Sequence, residues 1–412
     1  MTRSARWIIG LLLALAGVAA ALLAVLAWRV PDDRELAARI IAAAEKQYGV
    51  KLTVGAAHLQ LWPRPQLMLE EVATTEERPL SVRRVVAHLR ASELLRQKVS
   101  VESVEIEGAV VPQLALMRLR PKHTAAGSTA LAIQQLRFRD LTWITRHGKE
   151  LALEGSVRLD ADAALRQARL VRTGAQPQVQ LTLTRDGTDQ WKVESRLGGG
   201  SADGVITIKR GEDGKLKLSG QLAPREIEVA GALQAFQVHS PVRGKASGQT
   251  ELSASGDNVV ALAASLHTST TFSMASATLL RIDIDKAIRS FGKDRSGQTA
   301  LRSLSGRMDT RNTPDGLVVR YTGLKAEGES FNARGEGTIA KRRIEGKATV
   351  DLVGGLVGVP VTISGPLAQP NVAVPTTALA STAIGAAVGT AVLPGVGTAL
   401  GAKLGEMLGR PK

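Results

Sequence analysis

The spacing of apolar residues changes once along this chain, and the change constrains the fold more than any other feature. Residues 33–48, DRELAARIIAAAEKQY, repeat their apolar positions with a helical period. Leu36, Ile40, Ala44 and Tyr48 share one face, with Asp32 or Asp33 to cap the start and Gly49 the end. Beyond them the period drops to two. LTVGAAHLQLW, QLMLEEV, LSVRRVVAHL and VSVESVEIEGAVV read as short strands, with Pro63 and Pro65 punctuating the first pair. The pattern resumes in LAIQQLRFRDLTWITRHGKELALEGSVRL, VQLTLTRDGTDQWKVESRL and GVITIKRGEDGKLKLSGQL. It returns in LRSLSGRMDTRNTPDGLVVRYTGLKAEG and SFNARGEGTIAKRRIEGKATVDL. Asp186-Gly187 and Glu212-Asp213-Gly214 mark tight turns between strands. The expected fold is mainly β: an elongated, curled antiparallel sheet with one apolar and one wet face, forming an open groove or a partly closed barrel. A few short helices interrupt it, one turn near Ser92–Leu95 and one over 282–293. Roughly 20 strands at about 4.8 Å each would give a sheet ~95 Å long. Residues 120–129 read as a linker or long loop.

The N-terminus carries a different signal. Trp7–Trp28 is WIIGLLLALAGVAAALLAVLAW, without a charge. At ~1.5 Å per residue, a helix of this length spans the ~30 Å hydrocarbon core. Trp7 and Trp28 sit where interfacial aromatics belong, and Arg3 and Arg6 favour a cytoplasmic N-terminus. The run is longer than a signal-peptide core, although Val25-Leu26-Ala27 would fit a cleavage site. Either reading exports the rest of the chain. The expectation is a transmembrane anchor over 1–29.

No charged side chain lies between Asp351 and Lys403. Within that span Gly385 and Gly389 are four apart, as are Gly397, Gly401, Gly405 and Gly409, with Pro394-Gly395 between the two groups. This spacing predicts two helices, near 376–392 and 396–409, each with a small-residue face that permits close packing or membrane contact. The glycines have the wrong spacing for a dinucleotide fingerprint, and Gly401-Ala402-Lys403-Leu404 lacks the Ser or Thr of a phosphate loop. A low-complexity tail is the alternative.

Catalytic patterns are missing from the sequence. His58, His88, His123, His147, His239 and His267 are scattered without metal-ligand spacing, and no nucleophile elbow occurs. There is no cysteine. Asp283 and Asp285 read as a strand end and a helix cap rather than as an acid–base pair. No catalytic residue, cofactor or metal is expected. The net charge of +15 favours anionic partners. Export and an aromatic content of 3% argue against nucleic acid, and Lys and Arg interspersed on a wet sheet face account for the sign.

Taken in order, these segments resemble the AsmA family. The likeness rests on the anchor, the helix, YGVKLTVGAAHLQLWPRPQLMLEEV and PLSVRRVVAHLRASELLRQKVSVESVEIEGAVV at the N-terminal end. LAIQQLRFRDLTWITRHGKELAL is similar to its middle segment. LLRIDIDKAIRSFG, QTALRSLSGRMDTRNTPDGLVVRYTGLKAEGESFNARGEGTIA and VPVTISGPLAQPNV are similar to its C-terminal region. The resemblance covers most of residues 1–375; the chain is short for the family, and the glycine hairpin departs from its longer members. Residue pattern and resemblance together give a division into an anchor (1–29), a helix-plus-strand region (30–130), a middle meander (131–281), a C-terminal β region (282–370) and, from the glycine spacing alone, a glycine/alanine-rich hairpin (371–412). The resemblance also implies a non-catalytic protein of the Gram-negative inner membrane with its bulk in the periplasm, related to TamB and chorein-type bridge proteins. Its partners would be the membrane, phospholipid or another envelope lipid, and an envelope protein. The implied activity is lipid handling or transfer through an apolar groove. The alternative is a scaffold that assists outer-membrane protein assembly through protein contacts.

Overall fold

The structure, a computed structural model, describes residues 32–374 apart from 49–50, 95–99, 114, 116–132, 146–147, 161–163, 258, 291–292, 314–315, 353–357 and 368. The expected anchor with Trp7 and Trp28, and the glycine hairpin over 376–409, lie outside the described residues. Among the described residues no helix is long and apolar enough to cross a membrane.

Helix α1 (Asp33–Tyr48) comes first, with Asp33 and Glu35 in its first turn, where the helix dipole favours acids. Strands β1 (Leu52–Gln60), β2 (Gln66–Thr74) and β3 (Ser81–Leu89) follow, then the single turn α2 (Ala91–Leu94) and β4 (Val101–Pro112). The next group is β5 (Gln135–Ile144), β6 (Glu150–Leu159), β7 (Leu165–Arg172), β8 (Val179–Arg185), β9 (Gln190–Leu197), β10 (Gly200–Arg210) and β11 (Leu216–Arg225). After the short β12 (Ile227–Glu228) and α3 (Val229–Gln234) come β13 (Val242–Gly256), α4 (Val259–Ala264), β14 (His267–Met274) and β15 (Ala277–Leu279). Helix α5 (Ile284–Arg289) leads into β16 (Thr299–Thr313), β17 (Gly316–Gly328), β18 (Phe331–Ala340), β19 (Arg343–Leu352), β20 (Val359–Pro366) and β21 (Asn371–Ala373).

These elements form one long curled sheet of 21 strands. Each strand pairs with its neighbours in sequence, apart from local branching where β12, β14 and β15 all pair with β13. Strands β1 and β21 are the two edges, so the sheet is not a closed barrel. With β14 and β15 sharing a rung and β12 outside the main ladder, the sheet runs about 86 Å at ~4.8 Å per strand, somewhat less than expected. The expectation of a wholly antiparallel sheet is corrected at one place. Strands β4 and β5 are parallel, Val104 beside Leu136 and Ile106 beside Phe138. A parallel pair needs a connection of about a dozen residues or more, and the stretch between Pro112 and Gln135 provides it. The expected linker, residues 120–129, falls within that stretch and outside the described residues.

The hairpin turns fall where Asp186-Gly187 and Glu212-Asp213-Gly214 place them, between β8 and β9 and between β10 and β11. Helix α5 is shorter than the 282–293 of the sequence pattern because Asp283 stays extended and caps it, its carboxylate accepting from Lys286 N at 2.9 Å. The six-residue helices α3 and α4 carry no apolar period long enough to read.

Candidate functional site

Register decides which side chains share a face, because residues opposite each other across a ladder project to the same side. One row can be followed from edge to edge. It starts at Leu59 and passes through Leu67, Ala87 and Val104 to Leu136. From there it continues through Val157, Ala168, Leu183 and Val193 to Gly204 and Leu222. Thr250, Thr270, Met308 and Tyr321 carry it on, and Gly337, Gly346, Ile363 and Val372 finish it. No residue of the row is charged. The adjacent row, on the opposite face, reads differently. Glu105, Arg137, Ser156 and Arg169 oppose one another in turn, and so do Glu251, Ser269, Asp309 and Arg320. There cross-strand ion pairs absorb charge: Arg137 to Glu105 at 3.6 Å and Arg84 to Glu70 at 3.2 Å, all with substantially exposed side chains.

The apolar face is packed under helices at both ends and only partly covered between them. At one end Leu36, Ile40 and Ala44 of α1 join a buried cluster with Leu67, Leu69 and Val85 to Leu136 and Val157 of β2–β6. At the other, Ala287 and Ile288 of α5 join Met274, Leu301, Phe331, Val350 and Val361. Between them Trp191, Val193 and Leu216 of β8–β11 are buried outside both clusters, while Leu183, Ile206, Ile208, Leu218 and Leu222 beside them are only half-buried. Leu181 is 37% exposed. A run of aliphatic side chains on one face, partly open to solvent, is what an apolar ligand would cover.

Two features shape this face further along. Phe272 stands between Gly248 and Gly306 on the flanking strands and meets Tyr321 edge-on, ring centroids 6.5 Å apart at 85°. Burial pushes the Tyr321 phenol above its usual range. The backbone also comes close: a Cβ on Gly204 would lie 1.9 Å from the Gln221 carbonyl oxygen. Glycine is required there by space.

The two long rims of the sheet differ. The β1–β2, β6–β7, β8–β9 and β10–β11 turns all lie on the first rim, and the parallel pair brings the start of β5 there too. On this rim Arg185 pairs across the ladder with Trp191 and donates to Asp160 at 3.4 Å and to the Gly187 carbonyl at 2.9 Å. The Trp191 indole N–H is buried without a hydrogen-bond partner. Gln134, Gln135, Arg158, Leu159, Asp160 and Arg166 line a polar hollow beside it. The second rim is strapped. Gly198 packs under Ala232 of α3. The chain beyond reaches back to β6 and β7, where the Lys149 ammonium donates to the Gln237 carbonyl, Gln237 Nε2 to the Glu150 carbonyl at 2.9 Å, and Arg172 to the Ala235 carbonyl at 3.3 Å. Phe236 and Val238 of this strap are 38% and 41% exposed. Period-two reading finds the apolar face but not the strap, whose contacts join residues 63 to 88 positions apart.

The sequence-expected membrane residues, Trp7 and Trp28 and the glycines from Gly385 to Gly409, fall outside the described residues. Among the described residues no group of three or more His, Asp or Glu side chains is placed to hold a metal ion. No family model, curated protein or solved structure matches the chain.

Proposed function

We propose that this chain is a non-catalytic, membrane-anchored protein that holds or transfers lipid along the apolar face of its sheet, facing the periplasm from an inner-membrane anchor. The reading rests on the uncharged row from Leu59 to Val372, which is left half-covered between β8 and β11. Acyl chains need an uninterrupted apolar surface and no hydrogen-bonding partner, and such a row provides one. The resemblance to the AsmA family supports the same reading, and so does the apolar run from Trp7 to Trp28.

The test uses the full chain extracted from membranes. A photoreactive residue at Leu183 or Leu222 is expected to crosslink lipid, with phospholipid recovered by mass spectrometry. Crosslinks to proteins alone, with no lipid recovered, would refute lipid handling and favour the scaffold that assists outer-membrane protein assembly.

A further inference from the structure

The β1–β2 hairpin ends in an exposed tip, Leu61-Trp62-Pro63-Arg64. Trp62 is 84% exposed and Leu61 48%, the former the most exposed large apolar side chain described. The tip is ordered from below. Gln60 Nε2 donates to the Trp62 carbonyl at 2.9 Å, Gln66 Nε2 donates to Gln60 Oε1 at 2.7 Å, and Leu89 N donates to the Pro65 carbonyl at 2.9 Å. A presented tryptophan held by three hydrogen bonds at its base needs a reason, because so large an apolar ring is ordinarily favoured inside the fold.

Its position supplies one. A short connection joins α1 to β1, so the helix runs antiparallel to the strand and starts beside the strand's end. The contact is explicit: His58 Nδ1 lies 2.8 Å from Asp33 Oδ2. Residues before Asp33 therefore leave the fold at the end toward which the hairpin tip points. From His58 to Trp62 is at most ~14 Å of extended chain, and from Asp33 back to Trp28 at most ~18 Å. Both tryptophans can therefore reach one interfacial layer, the depth favoured by their amphipathic rings.

We infer that the Leu61-Trp62-Arg64 tip inserts into the headgroup layer of the same bilayer that holds the 7–28 segment, with Leu61 and Trp62 at the acyl boundary and Arg64 among anionic phosphates. This rests on the anchor reading of that segment. The tip acts as a second foot: it fixes the rotation of the sheet about its single anchor and sets the first rim, where Arg166 and Arg185 lie, against the membrane end of the molecule.

The absence of cysteine makes the test direct. The full chain carrying Leu61→Cys, spin-labelled and reconstituted into phosphatidylethanolamine–phosphatidylglycerol vesicles, is read by electron paramagnetic resonance with oxygen and a nickel chelate as probes. Expected is loss of chelate accessibility with retained oxygen accessibility at Leu61, and full chelate accessibility at a Val238→Cys control, itself in the strap on the second rim and 41% exposed. Trp62→Ser with Arg64→Glu, in the Leu61→Cys background, should restore chelate access while the chain still floats with the vesicles. A chain that floats but keeps Leu61 chelate-accessible overturns the inference and leaves the anchor intact. A chain that does not float overturns both. Equal protection of Leu61 and Val238 indicates general adsorption to the vesicle and also overturns it.

Discussion

Single residues on the apolar face answer to their neighbours rather than to propensity. Alanine for glycine within a strand ordinarily stabilises by roughly 0.5–1 kcal/mol. At Gly204 the sign should reverse, because the obstruction is the Gln221 carbonyl and the backbone has to shift. Urea denaturation of Gly204→Ala, compared with Gly187→Ala in an open turn whose nearest neighbour is 3.8 Å away, checks this. Titration gives two further tests. In a Tyr48→Phe chain Tyr321 is the sole tyrosine, and its phenolate absorbance should appear above the ordinary ~10. The folded state holds that proton more tightly than the unfolded state does. Stability is therefore kept below the unfolded value and lost as pH rises from there through the folded one. Asp294 works the other way. The Lys286 ammonium at 2.8 Å and Ser296 hold its carboxylate well below the usual range. Its contribution is present above the unfolded value of ~3.9 and is lost as pH falls through the folded one. Thermal melts of Asp294→Asn should lie below those of the parent chain at neutral pH and converge with them in strong acid.

Elements differ in how far the sequence discloses them. Helix α1 was legible in its bounds and its inner face: Leu36, Ile40 and Ala44 recur at a helical period and all three are buried against β strands. Leu36→Ala and Ile40→Ala should each destabilise by roughly 2–5 kcal/mol in denaturant unfolding, the range for emptied core sites. The strands were legible too, since the apolar alternation of LTVGAAHLQ or VQLTLTR needs no distant partner to be seen. Pairing was less so. Nothing local distinguishes VESVEIEGAVVP as a parallel neighbour of β5, because parallel and antiparallel partners ask for the same side chains here. Helix α5 shows the limit from another side. A capping aspartate could be expected there, but the cap is Asp283 rather than Asp285, and the six residues it starts are held by Ala287 and Ile288 packing among residues up to Val374. Asp283→Ala should cost about 1 kcal/mol, measured the same way.

At the scale of the molecule, the apolar face was half legible. Which residues lie on it follows from the alternation. That its two ends are packed under α1 and α5 while β8–β11 stay partly uncovered depends on which helix reaches which strand, and no period encodes that. Charge placed in the open part should separate stability from lipid handling. Leu218→Glu sits on a half-buried, partly wet surface and should leave circular dichroism close to the parent's while sharply lowering co-purified phospholipid. If the variant retains its lipid, the face is not where lipid binds.

Nearest-neighbour pairing from β5 to β11 also bears on length. Each rung there is stabilised by the two beside it, so the trough behaves as a ruler with a unit of two strands. Adding or removing one hairpin would change its span by ~9.6 Å and return the chain to the same rim, with the terminal helices still seated on their own strands. A single added strand would exchange the strapped rim for the open one in everything downstream. Such a sheet can be cut to the width of a gap without redesigning either end.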